Sequence, residues 1–172
     1  MIVELSKGFR EIRAVLQPIV FSIGASKEEV EKLKRDFLSE LKEVYKDEEL
    51  LEPVVITSEY EARLLPFTID RKVDAVILRA HGRRYIYRRL SWLKLPVIIW
   101  DERGYCHAAS WDIRGFLKHW GVEVITPIGP EEHRRAAKVI SAVNALKVSK
   151  LIVFGKIPAP NVASQWCLEE IE

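Results

Sequence analysis

Two short polar segments concentrate the side chains that could do chemistry: RAHGR at 79–83 and DERGYCH at 101–107. The first joins two guanidiniums and an imidazole to a glycine that lets a ligand or a backbone come close. Guanidinium forks and backbone N–H groups suit anionic or hydroxyl-rich ligands. The second segment adds carboxylates, a phenol, a thiol and another imidazole. Arg79, His81, Arg83, Asp101, Tyr105 and His107 are therefore the candidate substrate-binding residues. No catalytic residue is assigned, because Asp101 and Glu102 are loop neighbours and such side chains point apart. No metal site is assigned either. Cys106 and His107 are adjacent, and no HxH or HxxxH spacing exists to bring two imidazoles onto one ion.

Each segment follows a short, almost wholly apolar run, DAVIL at 74–78 and PVIIW at 96–100. Two more such runs stand out, PIVFSIG at 18–24 and LIVFG at 151–155. Strands of this kind are covered on both faces, which implies a parallel sheet between two helix layers. Ligands of such sheets gather at the carboxyl ends of the strands, and there both polar segments begin. The full expectation is strands at 18–24, 52–56, 74–78, 96–100, 122–125 and 149–154, with 74–78 and 96–100 adjacent and parallel. Helices are expected between them. Ser26 and Glu29 form a capping-box pattern ahead of a helix over 27–45. Ser58 resembles an N-cap, with Pro66 interrupting or ending the helix that follows. Further helices are expected over 83–93, 108–120, which Gly121 terminates, and 131–146.

The helix at 83–93 carries Ile86, Leu90 and Leu93 on its core side, which leaves Arg83, Arg84, Arg88 and Arg89 as a solvated face. Arg79 and His81, on the strand-end turn, read instead as site residues, and Arg79 should contribute little to core packing. The stretch RRYIYRRLSW suggests nucleic-acid binding by phosphate contacts and stacking. Against that, Tyr85 and Tyr87 fall on different helix faces and the chain's net charge is only +2. Nucleic acid is not an expected partner. The small total hides a segregation: residues 1–70 hold ten basic and fifteen acidic side chains, and 71–172 hold seventeen and ten.

The 172 residues suffice for one domain with a real core. Residues 1–17 read as a helical or irregular lead-in, 18–155 as the domain, and 156–172 as a connector and an amphipathic tail that either docks back on the sheet or leads toward a further domain. No apolar run approaches the ~18 residues needed to cross a bilayer, and the charged start MIVELSKGFREIR is unlike a signal peptide. A cytoplasmic protein without a membrane role is expected. Two distant cysteines indicate neither a disulfide framework nor a zinc ribbon. Scarce Asn, Gln and Met beside abundant Lys, Arg and Glu point to a thermophilic source. GxGxxG, GxxxxGK[ST] and GxSxG are all missing, so dinucleotide, P-loop and α/β-hydrolase chemistry is not expected. Gly24-Ala25-Ser26 reads as turn chemistry or as a small phosphate-type turn.

The order of segments resembles the N-terminal domain of the L-fucose/L-arabinose isomerase superfamily over about residues 18–160. DAVIL with its polar turn, LPVIIW at 95–100, AASWDIRGFLKHWGVEVITPIG at 108–129 and LIVFG carry the resemblance. It implies a three-layer α/β/α sandwich, flavodoxin-like, with a mainly parallel sheet of five or six strands in the order 2-1-3-4-5. It also implies a homo-oligomer in which this domain shapes a sugar pocket. Aldose–ketose isomerisation would use Mn²⁺ held by later domains, so this chain would carry no cofactor and be inactive alone. The alternative is a stand-alone α/β module, regulatory or binding a small hydroxylated or anionic ligand, that uses the same strand ends.

Overall fold

The computed structural model of the chain describes residues 13–79, 84–100 and 108–148. Six strands alternate with helices: β1 Val15–Phe21, α1 Lys27–Val44, β2 Glu49–Leu50, β3 Val54–Ile56, α2 Glu59–Thr68 and β4 Ala75–Arg79. A 3₁₀ helix at Arg84–Leu93, β5 Val97–Trp100, α3 Ala108–His119, β6 Val124–Ile125 and α4 Gly129–Val148 complete the order. Every pairing is parallel. The sheet runs β2-β1-β4-β5-β6, and β3 continues the β2 edge by pairing with β1. Counting β2 and β3 as one broken edge, the order is 2-1-3-4-5, consistent with a flavodoxin-like three-layer fold.

Strand alternation sorts the core into two halves. Ile19, Val76, Leu78, Val97 and Ile99 face α2, the 3₁₀ helix and α3. Leu16, Val20, Ile77 and Ile98 face α1 and α4. The residue period of 2 along each strand makes these sets interleave, which is why the strands read as unbroken apolar runs.

β1 begins at Val15, so residues 15–17 belong to the sheet and not to a lead-in; residues 1–12 lie outside the described part. The strand also ends at Phe21, three residues before its expected end. Pro18, the first residue of the expected strand, has no N–H to give a ladder. The structure accommodates it mid-strand, beside the break between Leu50 of β2 and Val54 of β3. Buried Gln17 spans that break, its amide donating to the Glu52 carbonyl at 2.7 Å and the Pro18 carbonyl at 3.2 Å. Backbone N–H groups fasten the strand's start to other elements. That of Ala14 donates to Glu48 Oε2 (2.7 Å) and Ser141 Oγ (3.0 Å), and that of Val15 donates to Asp74 Oδ2 (2.8 Å).

α1 is capped as expected, with the Ser26–Glu29 box complete. α2 keeps Pro66 inside it, and Gly121 ends α3 at a φ of +73° that a Cβ would strain. The segment 84–93 differs in type: it is a 3₁₀ helix, not an α-helix. Tyr, Ile and Trp are indifferent α-formers, and three residues per turn stack positions 87, 90 and 93 on one side. Tyr87 is accordingly fully buried, with Phe21 edge-on at 5.1 Å, while Tyr85 stays exposed. The strand expected at 149–154 and the tail lie outside the described residues.

The 3₁₀ face gives a direct test. Tyr87→Ala should lower the unfolding free energy by about 3–5 kcal/mol, as for a buried aromatic. Tyr85→Ala should cost less than about 1 kcal/mol. Equal costs in urea titrations would contradict the assignment of faces.

Candidate functional site

β4 and β5 end side by side at the carboxyl edge, with Arg79 paired in register to Trp100, and Val20 of β1 opposite Arg79 on its other side. All three side chains face α1. Arg79 is 9 % exposed, so the strand-end position does not put it in solvent. Its Nη2 donates to Glu40 Oε1 at 3.3 Å, and its guanidinium lies 5.2 Å from the Phe37 ring centroid. The Trp100 indole N–H donates to the other oxygen of the same carboxylate, also at 3.3 Å. One α1 glutamate therefore ties together the last residues of two adjacent strands. The expectation that Arg79 adds little packing is corrected: the alternation that buries Ile77 also buries Arg79.

Behind this row lies an aromatic cluster that the sequence reading missed. Trp100 stands 4.7 Å from His133 of α4 and 6.3 Å from Tyr45, which follows α1. Tyr45 Oη and His133 Nδ1 are 2.7 Å apart. Burial pushes the Tyr45 phenol up, with Glu48 adding to the shift, so the phenol keeps its proton. Burial pushes the His133 imidazole down to about 4, against a smaller opposing pull from Glu132. A neutral imidazole beside a protonated phenol fixes the polarity of the bond: Tyr45 donates and Nδ1 accepts. The signal in the sequence was spacing. His133 shares an α4 face with Ala136, Ala137 and Ile140, all buried.

At the end of β1 the edge opens into a groove of about 440 Å³, lined by residues 22–25 with Glu29, Lys32, Leu33 and Asp36. Positions 29, 33, 36 and 40 follow helical spacing, so the groove wall and Glu40 lie along one stripe of α1. The turn shows no anion cradle. The N–H of Gly24 donates to the Thr57 carbonyl (2.9 Å), that of Ala25 to the Ser22 carbonyl (3.2 Å), and that of Ser26 to Glu29 Oε2 (2.7 Å). These hydrogen bonds from the Ser26 backbone and then its side chain hold the Glu29 carboxyl below the usual carboxylate range. With the N–H groups of residues 24–26 engaged and a carboxylate in the first turn, the observed contacts are those of turn chemistry.

Of the six candidate residues, the structure places Arg79; His81, Arg83, Asp101, Tyr105 and His107 lie outside the described residues. Among the described residues no three His, Cys, Asp or Glu side chains converge in a way that could hold a metal ion, and no described helix is long and apolar enough to cross a membrane.

Two measurements check this geometry. Arg79→Ala should destabilise the fold by about 1–3 kcal/mol, because it removes a charged hydrogen bond and opens space beside Phe37. For His133, the folded-state pKa lies below the unfolded value, so the unfolded chain binds the proton first. The resulting stability is complete above about pH 6.5 and is lost as pH falls toward 4, a swing on the order of 3 kcal/mol. His133→Gln should flatten that part of the pH–stability profile; an unchanged profile would contradict the buried neutral imidazole.

No protein-family model matches the chain, and no curated protein matches it.

Proposed function

We propose that this chain is a sugar-binding α/β domain: it shapes a pocket for an aldose at the carboxyl edge of its sheet and associates with further copies. In this reading it corresponds to the N-terminal domain of an L-fucose/L-arabinose isomerase-like protein. The chemistry of aldose–ketose isomerisation, and the Mn²⁺ that serves it, belong to other domains.

One observation carries the reading: the character of the groove beside β1. Its wall offers Glu29 and Asp36 as acceptors, Lys32 as a donor and Leu33 as an apolar contact. Carboxylates accept from sugar hydroxyls and repel phosphate, while the turn N–H groups are already taken. A neutral, hydroxyl-rich ligand fits these groups better than an anion does. The groove shares the α1 stripe of Glu40, which fixes Arg79 and Trp100. The segments 80–83 and 101–107 leave those two strand ends, and in this proposal they complete the pocket with His81, Arg83, Asp101, Tyr105 and His107.

A thermal-shift titration with L-fucose, L-arabinose and inorganic phosphate tests the proposal. Aldose binding should raise Tm with concentration by mass action, and phosphate should not. Asp36→Ala, at an exposed position, should remove the sugar response and leave the unliganded Tm in place. The chain alone, supplied with Mn²⁺, should form no ketose. Stabilisation by phosphate alone would overturn the choice of ligand. Ketose formation would overturn the placement of the chemistry.

A further inference from the structure

The basic stretch that the sugar reading leaves unused acquires a definite form in the fold. α2 packs on the 3₁₀ helix, and the 3₁₀ helix on α3, so the three make one continuous outer layer. Tyr60 and Phe67 of α2, Tyr85 and Trp92 of the 3₁₀ helix and Trp111 of α3 are all exposed on it, Phe67 by 85 %. Guanidiniums sit among them: Arg89 lies 4.3 Å from the Trp92 ring centroid and Arg114 4.7 Å from that of Trp111. Arg88 and Arg63 stand near enough to Arg89 to depress its pKa, after the larger effect of desolvation. Across these three helices six Lys or Arg stand against three acids. A solvated face needs charge but not five large exposed rings. Tyr, Trp, Phe and Arg are the residues enriched at the centres of protein interfaces.

The same chain carries the complementary surface elsewhere. From the end of α1 through β2, residues 43–52 hold five acids and one lysine, and Glu43, Asp47, Glu49 and Glu52 are exposed. Among the described residues β2 pairs only with β1, so this segment borders the edge of the described sheet. The two surfaces belong to different elements, so the layer of one copy can meet the acidic segment of the next.

We propose that the aromatic–arginine layer of α2, the 3₁₀ helix and α3 docks on the acidic 43–52 edge of a second copy of this chain. The inference deepens the association part of the proposed function. Its failure and that of the sugar reading are distinguishable, since one experiment reads mass and the other a ligand-induced Tm shift.

Sedimentation velocity of the full chain at low and high salt, with a labelled oligo-dT titration beside it, tests the contact. The chain should sediment as more than one copy at low salt and dissociate as salt screens the charges. Arg88→Glu/Arg89→Glu and, separately, Asp47→Lys/Glu49→Lys should each weaken association about tenfold or more, with unchanged far-ultraviolet circular dichroism. Mixed together, the two variants should form a heterodimer that grows no further, because one native layer meets one native edge. A chain that is monomeric at every salt and concentration overturns the proposal. So does a mixture that stays monomeric, or oligo-dT binding by a monomer that Arg88→Glu/Arg89→Glu abolishes; the last outcome would assign the layer to single-stranded nucleic acid.

Discussion

Every residue of β4 is buried, and that constraint organises the molecule. A central parallel strand covered on both faces needs helices on both sides and leaves no solvent for a polar side chain to reach. Its last residue is nevertheless an arginine. A guanidinium carried into that position requires a counter-charge from the covering layer, and α1 supplies it through Glu40. Glu40 also accepts from the Trp100 indole, so the covering helix is tied to the two strands whose ends border the candidate site. Removing the carboxylate would take that acceptor from a buried guanidinium and from the half-buried Trp100 indole N–H, a costlier defect than loss of an exposed ion pair.

The same row explains how the second layer is built. Trp100, one strand over from Arg79, needs more cover than α1 alone provides, and α4 brings His133 against it. The Tyr45–His133 hydrogen bond then links the end of α1 to the first turns of α4. Polar groups buried in this way bring specificity of arrangement along with pH sensitivity: the contact persists while the imidazole is neutral and is opposed once acid charges it. Carboxyl-edge geometry and acid stability are thus properties of one connected cluster.

Much of this was legible in the chain, and the limits have physical reasons. Uniformly apolar runs announced strands buried on both faces, and DAVIL beside PVIIW pair as expected, in parallel register. The capping box and the Ser58 cap were readable because their chemistry is local. β1 was displaced by three residues because Pro18 looks like a strand boundary until a broken neighbouring strand and the Gln17 amide relieve it. The 3₁₀ helix escaped notice because Ile86 and Leu90 satisfy an α-helical period, and only the depth of Tyr87 separates the two. Arg79 was expected on the turn after the strand, yet it is the last residue of β4, and its partner Glu40 stands 39 positions earlier in the chain. His133 and Tyr45 meet across 88 positions, a separation at which no local pattern speaks.

In the proposed function, ligand recognition belongs to the carboxyl edge beside β1 and α1. Amide hydrogen exchange of the full chain with and without saturating L-fucose separates this edge from the opposite one. Slowed exchange is expected in the turn at 22–25, the first three turns of α1 and the ends of β4 and β5, and nowhere else. Slowed exchange at the opposite edge, around the starts of β4, β5 and β6, with the β1–α1 turn unchanged, would contradict it.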